Sequence, residues 1–88
     1  MRNYVNEIRD AVRQELPGID EDLLDMYSLL VLVKGKETTL EDVHDAWSVW
    51  RNLTRPDHKS LIPFSELSEE VQELDRKYTN AIVKVASR

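Results

Sequence analysis

The chain has 88 residues, of which 33% are charged and 41% hydrophobic, and its net charge is −5. This length allows one domain over residues 1–88, and the composition is typical of a globular protein. Because the chain has no cysteine, a disulfide framework and a zinc–thiolate site are excluded. The acidic balance also excludes generic nucleic-acid binding, which needs a basic surface to release counterions from phosphates.

Neither the N-terminal segment nor the longest apolar run is typical of a membrane or exported protein. The segment MRNYVNEIRD carries charges where a signal peptide has its apolar region. Residues 29–33 form the longest apolar run, which is far shorter than the ~20 residues that span a bilayer. We therefore expect a cytoplasmic protein without a membrane partner.

The first predicted helix runs from about Arg2 to Leu16. It ends at Pro17-Gly18, because proline cannot continue the hydrogen-bond ladder and glycine turns freely. Apolar residues recur at three- and four-residue steps. They predict a buried face made of Tyr4, Val5, Ile8, Val12 and Leu16.

The second predicted helix runs from about Glu21 to Lys34, with Asp20 as its N-cap and Gly35 at its C-terminal end. Its run LLDMYSLLVLV is apolar on nearly every side. This pattern predicts either the central helix of a bundle or a helix buried between two copies of the chain. A homodimer through helix two is therefore one hypothesis for assembly.

The third predicted helix opens at Thr39, which forms a capping box with Asp42. It ends before Arg55-Pro56, because the residue before proline avoids the helical region. One stripe of this helix carries Leu40, Val43, Trp47 and Trp50.

The fourth predicted helix is capped by Ser68 and continues without a break through residues 68–87. Its predicted buried face consists of Val71, Leu74, Tyr78, Ile82 and Val85, and Glu73 is placed to pair with Lys77. No strand is predicted. The fold class is therefore all-α: a compact bundle of four helices with a long loop between helices three and four.

That loop, Arg55 to Leu67, is longer than the usual 2–8 residues between bundle neighbours. Leu61, Ile62 and Phe64 are predicted to anchor it across helix three, where it covers Trp47 or Trp50. On this interpretation the aromatic residues are simply core, and His44 hydrogen-bonds the loop backbone.

Residues 43–67 contain both tryptophans, both histidines and the only phenylalanine, so a binding site is expected here. Tryptophan and arginine anchor protein interfaces, while an indole that stacks a base beside a cation that meets phosphate is typical of a nucleotide site. The candidate binding residues are His44, Trp47, Trp50, Arg51, Arg55, His58, Lys59 and Phe64.

No catalytic or metal signature accompanies these residues. His44 and Asp45 point about 100° apart on a helix, and no second histidine follows at metal-ligand spacing. Ser48 lies one turn from His44 but without a glycine elbow or an oxyanion arrangement. The expectation is a non-enzymatic protein without a cofactor or a resident metal.

A resemblance is carried by Val43-His44-x-x-Trp47, then His58, then Leu61-x-Pro63-Phe64-x-x-Leu67 and Asp75. This pattern resembles the ryanodine-receptor repeat (RyR) domain over about residues 40–80. The glycine-containing segment of that family between the tryptophan helix and the loop is absent. Over most of its length the chain also resembles small uncharacterised proteins of actinobacterial phages.

The RyR resemblance implies a nucleotide or nucleotide-derived ligand at His44, Trp47, His58 and Phe64. The phage resemblance implies the cytoplasm of a host cell and a protein partner from host or phage. The sequence hypothesis is a binding module that acts through protein–protein interaction, with nucleotide binding and self-assembly as alternatives.

Overall fold

The computed structural model describes residues 3–88, which form a helical bundle without a strand. The all-α prediction is confirmed, while the predicted helix start at Arg2 lies outside the described residues. No helix among residues 3–88 is long and apolar enough to cross a membrane. The helices are α1 Tyr4–Glu15, α2 Glu21–Val33, α3 Leu40–Thr54, α4 Glu69–Glu73 and α5 Arg76–Ala86, with short 3-10 helices at Gly35–Glu37 and Phe64–Glu66.

The predicted caps begin three of the helices. Asp20 accepts hydrogen bonds from two backbone N–H groups of α2, and Ser68 accepts one from α4. Thr39 and Asp42 bond reciprocally at 2.9 and 3.1 Å, which confirms the capping box of α3. Gly35 follows α2 with a φ of +56°, a conformation in which glycine has no Cβ to clash.

Helix α2 lies at the centre of the bundle and packs against α1, α3 and α5. The largest fully buried side chains come from four helices and are Val12, Leu24, Tyr27, Val43 and Ile82. The prediction for the N-terminal end of the first helix is wrong: Tyr4 is 68% exposed and Val5 is also exposed. Only the later turns of α1 pack fully against α2.

The predicted bundle of four helices is confirmed, but the fourth helix is interrupted by a turn at Leu74 and Asp75, which divides it into α4 and α5. The backbone N–H groups of Leu74 and Asp75 bond to the carbonyls three residues earlier, at 3.1 and 3.2 Å. This 3-10 pattern tightens the chain and ends the α-helical ladder. Leu74 is therefore 69% exposed instead of buried, and Glu73 pairs with Arg76 at 3.0 Å instead of Lys77.

The loop after α3 packs back on the helix, as predicted, and the predicted hydrogen bond of His44 to the loop backbone is confirmed. His44 bonds through Nε2 to the carbonyl of Ile62 at 2.8 Å. Gln72 donates to the carbonyls of Phe64 and Leu67 at 3.0 and 3.2 Å. The side chain of Ile62 is exposed, so its predicted role as an apolar anchor is wrong. The hydrogen bond from His44 to the Ile62 carbonyl holds this part of the loop.

Candidate functional site

A cleft of about 540 Å³ opens where the α1–α2 turn, α3 and the α4–α5 junction meet. This volume lies in the usual range for small-molecule sites, roughly 300–1,000 Å³. Its walls combine apolar, aromatic and charged groups. Its polar and aromatic lining includes Asp20, His44, Trp47, Trp50, Arg51, His58, Asp75 and Tyr78.

Arg51 lies between the two indoles. Its guanidinium carbon is 4.2 Å from the ring centroid of Trp50 and 6.0 Å from that of Trp47. Both distances are within reach of a cation–π interaction. Nε of Arg51 is fully buried and has no hydrogen-bond acceptor within residues 3–88. Such a buried donor costs about 1–3 kcal/mol when it stays unsatisfied, and more when it is charged.

Trp50 is fixed by Asp20, the N-cap of α2. The indole Nε1 donates to the Asp20 carboxylate at 3.0 Å, and the same oxygen accepts from the backbone N–H of Asp22 at 2.8 Å. One side chain thus caps a helix and positions a wall of the cleft. Because Arg51 covers the Trp50 ring, this indole is a platform for the guanidinium.

Trp47 packs between the two histidines. Its ring stacks on His44 with centroids 5.8 Å apart and meets the edge of His58 at 5.1 Å. The loop therefore covers Trp47, one of the two predicted possibilities, through His58. Phe64 packs on the His44 ring at 6.0 Å and does not line the cleft.

The hydrogen bonds assign the protons of both histidines. Nε2 of His44 faces the carbonyl of Ile62, which can only accept, so Nε2 carries the proton. Ser48 Oγ lies 3.4 Å from that same nitrogen and therefore finds no basic lone pair there. Nδ1 of His58 accepts from the backbone N–H of Ser60 at 3.1 Å, so its neutral ring is protonated at Nε2.

Asp75 is a partly buried carboxylate in the wall of the cleft. Burial raises the pKa of Asp75, and the nearby His44 opposes this shift. The carboxylate receives no hydrogen bond from any donor within residues 3–88 and, although Asp75 is the N-cap of α5, it makes no side-chain capping bond. Burial, helped by Asp75 and Tyr78, also raises the pKa of Tyr27 beside it.

We expect Asp75→Asn to raise the melting temperature at pH 7. Because the pKa of Asp75 is raised, the folded protein keeps the Asp75 proton to a higher pH than the unfolded chain does. Protonated Asp75 therefore contributes to stability below its ordinary pKa of 3.8, and this contribution is lost as pH rises through the raised pKa. At pH 7 the partly buried charge is unfavourable, and asparagine removes it. Melts of both proteins from pH 3.5 to 8 should converge at the acidic end. Asp57→Asn, in the exposed loop, is the matched control. A lower melting temperature for Asp75→Asn at pH 7 would contradict the assignment.

The structure brings five of the eight predicted binding residues into the cleft: His44, Trp47, Trp50, Arg51 and His58. Arg55 and Lys59 are exposed and do not line the cleft. Sequence reasoning missed Asp20, Asp75 and Tyr78 as site residues, although the RyR-like pattern includes Asp75.

Within residues 3–88, no group of three or more histidine, aspartate or glutamate side chains is arranged to hold a metal ion. The chemistry that the cleft offers is hydrogen bonding and aromatic contact. Within residues 3–88, Arg51 supplies a buried donor without an acceptor, and Asp75 supplies a carboxylate that makes no side-chain capping bond.

A family model described as a domain of unknown function (DUF7701) matches residues 3–87. It covers α1 to α5 and every residue of the cleft. No curated protein and no solved structure matches the chain.

Proposed function

We propose that this chain, which belongs to the DUF7701 family, is a non-enzymatic module that binds a small polar ligand in the cleft. The single observation that carries the proposal is the buried Nε of Arg51, which has no acceptor within residues 3–88. Because Nε is covered, a ligand oxygen reaches it only when the Arg51 side chain shifts on the Trp50 ring. The new bond would satisfy the donor and remove the desolvation penalty. Charge-assisted bonds of this kind are stronger than neutral ones.

The carboxylate of Asp75 limits the kinds of ligand that the cleft can bind. A purely anionic ligand would be disfavoured, because its negative charge would repel the Asp75 carboxylate. A ligand that offers an anionic or carbonyl oxygen to Arg51 and an N–H or O–H donor to Asp75 satisfies both groups. Nucleotides and amino-acid-like zwitterions carry both features.

The RyR resemblance supports the nucleotide branch of this class. Three of the residues that it implicates, His44, Trp47 and His58, line the cleft together. The free face for a base is limited, however, because Arg51 covers Trp50 and both histidines contact Trp47. A bound base would therefore pack beside these rings or displace Arg51 from Trp50.

Protein–protein interaction is the second candidate. It is supported by an apolar surface formed by α3 and the loop after it, where Val49 is 57% exposed and Leu53 and Ile62 are also exposed. Such side chains match the apolar core of an interface. On the phage resemblance, the partner would be a host or phage protein.

Thermal melting against a ligand panel tests the first candidate. The panel contains mono-, di- and cyclic nucleotides, ADP-ribose derivatives and free amino acids. A ligand at about 100 times its dissociation constant adds ~2.7 kcal/mol, which raises the melting temperature of a domain this small by roughly 10–20 °C. We expect at least one saturable shift of this size. No shift across the panel would favour the protein partner instead.

A further inference from the structure

The outer face of the α1–α2 hairpin is polar along one half and apolar along the other. In the polar half, Arg13 pairs with Glu21 at 3.0 Å, and Arg9 pairs with Glu21 and Asp25 at 2.8 and 2.7 Å. These ion pairs show that α1 and α2 run antiparallel, with Arg9 and Arg13 on one row of α1. Glu21 and Asp25 form the facing row of α2.

One turn further along the same rows, the ion pairs give way to apolar side chains. Val5 is the next residue on the row of α1, and Leu29 is the next on the row of α2. Leu29 is 54% exposed, Val33 is 64% exposed, and Val5 and Leu32 are exposed as well. We call these four residues, Val5, Leu29, Leu32 and Val33, the hairpin patch. None of them lines the ligand cleft.

Two exposed charges lie toward opposite ends of α2. Asp22 is in the first turn of α2, and Lys36 is in the 3-10 turn Gly35–Glu37 that follows its last residue. Neither side chain forms an ion pair within residues 3–88, whereas Glu21, Asp25 and Lys34 all do. When two copies of α2 lie antiparallel, the acidic end of each helix therefore faces the basic residues beyond the C-terminal end of the other.

From the exposed patch and this charge complementarity we propose that a second copy of the chain docks on the hairpin patch in an antiparallel, two-fold arrangement. The two patches then bury each other. Asp22 meets Lys36 of the partner subunit, and the symmetry creates this pair twice, as in any isologous interface. The two α2 helices oppose their dipoles, which favours the antiparallel direction. None of the patch residues lines the cleft, so the dimer would leave both clefts open and is independent of the proposed ligand binding.

Sedimentation equilibrium over a concentration series tests the arrangement. The wild-type chain should show a dimer mass, and Leu29→Glu should sediment as a monomer because it places a charge in the centre of the patch. Asn52→Glu, which adds the same charge at an exposed position of α3 outside the patch, should remain dimeric. A monomeric wild type at the highest concentration, or a dimer that survives Leu29→Glu, would overturn the proposal.

Charge reversal tests the orientation independently of the apolar contact. Asp22→Lys and Lys36→Asp should each weaken dimerisation about fivefold or more, because each replaces two attractive pairs by two repulsive ones. The double variant Asp22→Lys/Lys36→Asp should restore the wild-type dissociation constant within about twofold, while circular dichroism confirms that all variants fold. A double variant as weak as the single variants would overturn the antiparallel arrangement.

Discussion

Replacing Trp47 with alanine is expected to lower the free energy of unfolding by about 3 kcal/mol, the lower end of the range for deletion of a buried tryptophan or phenylalanine. The indole is partly buried and packs against the core. It also stacks on His44, meets the edge of His58 and lies near Arg51. Its removal therefore leaves a cavity and releases the loop that covers α3. Urea unfolding followed by circular dichroism measures the change.

Val49→Ala is the matched control for Trp47→Ala. It lies on the same helix with an exposed side chain, and surface substitutions of this kind usually change stability by less than about 0.5 kcal/mol. If Trp47→Ala unfolds at the same urea concentration as the wild type, Trp47 does not pack as the structure shows. It would then be a surface anchor for a partner.

Arg51→Gln is expected to weaken ligand binding by about 10- to 100-fold, because a hydrogen bond to a charged group contributes ~1.5–3 kcal/mol. The stability of the free protein should stay the same or increase. The variant removes a charged group whose Nε is buried without an acceptor, and it loses only cation–π contacts with the two indoles. Tryptophan fluorescence reports the binding, since both indoles line the cleft.

Arg55→Gln makes the same chemical change four residues later, at an exposed position outside the cleft. It should bind the ligand as the wild type does. Equal losses in the two variants would indicate that overall positive charge, and not the cleft, attracts the ligand. A large fall in the melting temperature of Arg51→Gln would mean that Arg51 is a structural residue.

The helix starts could be predicted from the sequence because local chemistry determines them. Asp20, Thr39 with Asp42, and Ser68 satisfy backbone N–H groups of their own helices, so a few neighbouring residues contain the whole signal. The break after Glu73 was missed for the opposite reason. Leu74 continues the apolar spacing of the fourth helix, and periodicity alone cannot show that the chain tightens into a 3-10 turn at that point.

The candidate site was predicted only where it lies on one helix. His44, Trp47, Trp50 and Arg51 share α3, and their spacing alone places them near one another. Asp20 and Asp75 enter the cleft from other helices, through the packing of α2 and α5 against α3. This packing depends on contacts far apart in the chain. The pairing of Trp50 with Asp20 spans 30 residues and has no local signal.

The most direct test of the ligand proposal is a ¹H–¹⁵N correlation spectrum that follows Nε–H of Arg51 during titration with the best compound of the melting panel. We predict a large, saturable shift of this resonance, because the ligand supplies the acceptor that Nε lacks. The indole N–H of Trp50 should shift less, since Asp20 already accepts from it. A saturable ligand that leaves Arg51 Nε–H unchanged while it shifts resonances of the hairpin patch would contradict the account.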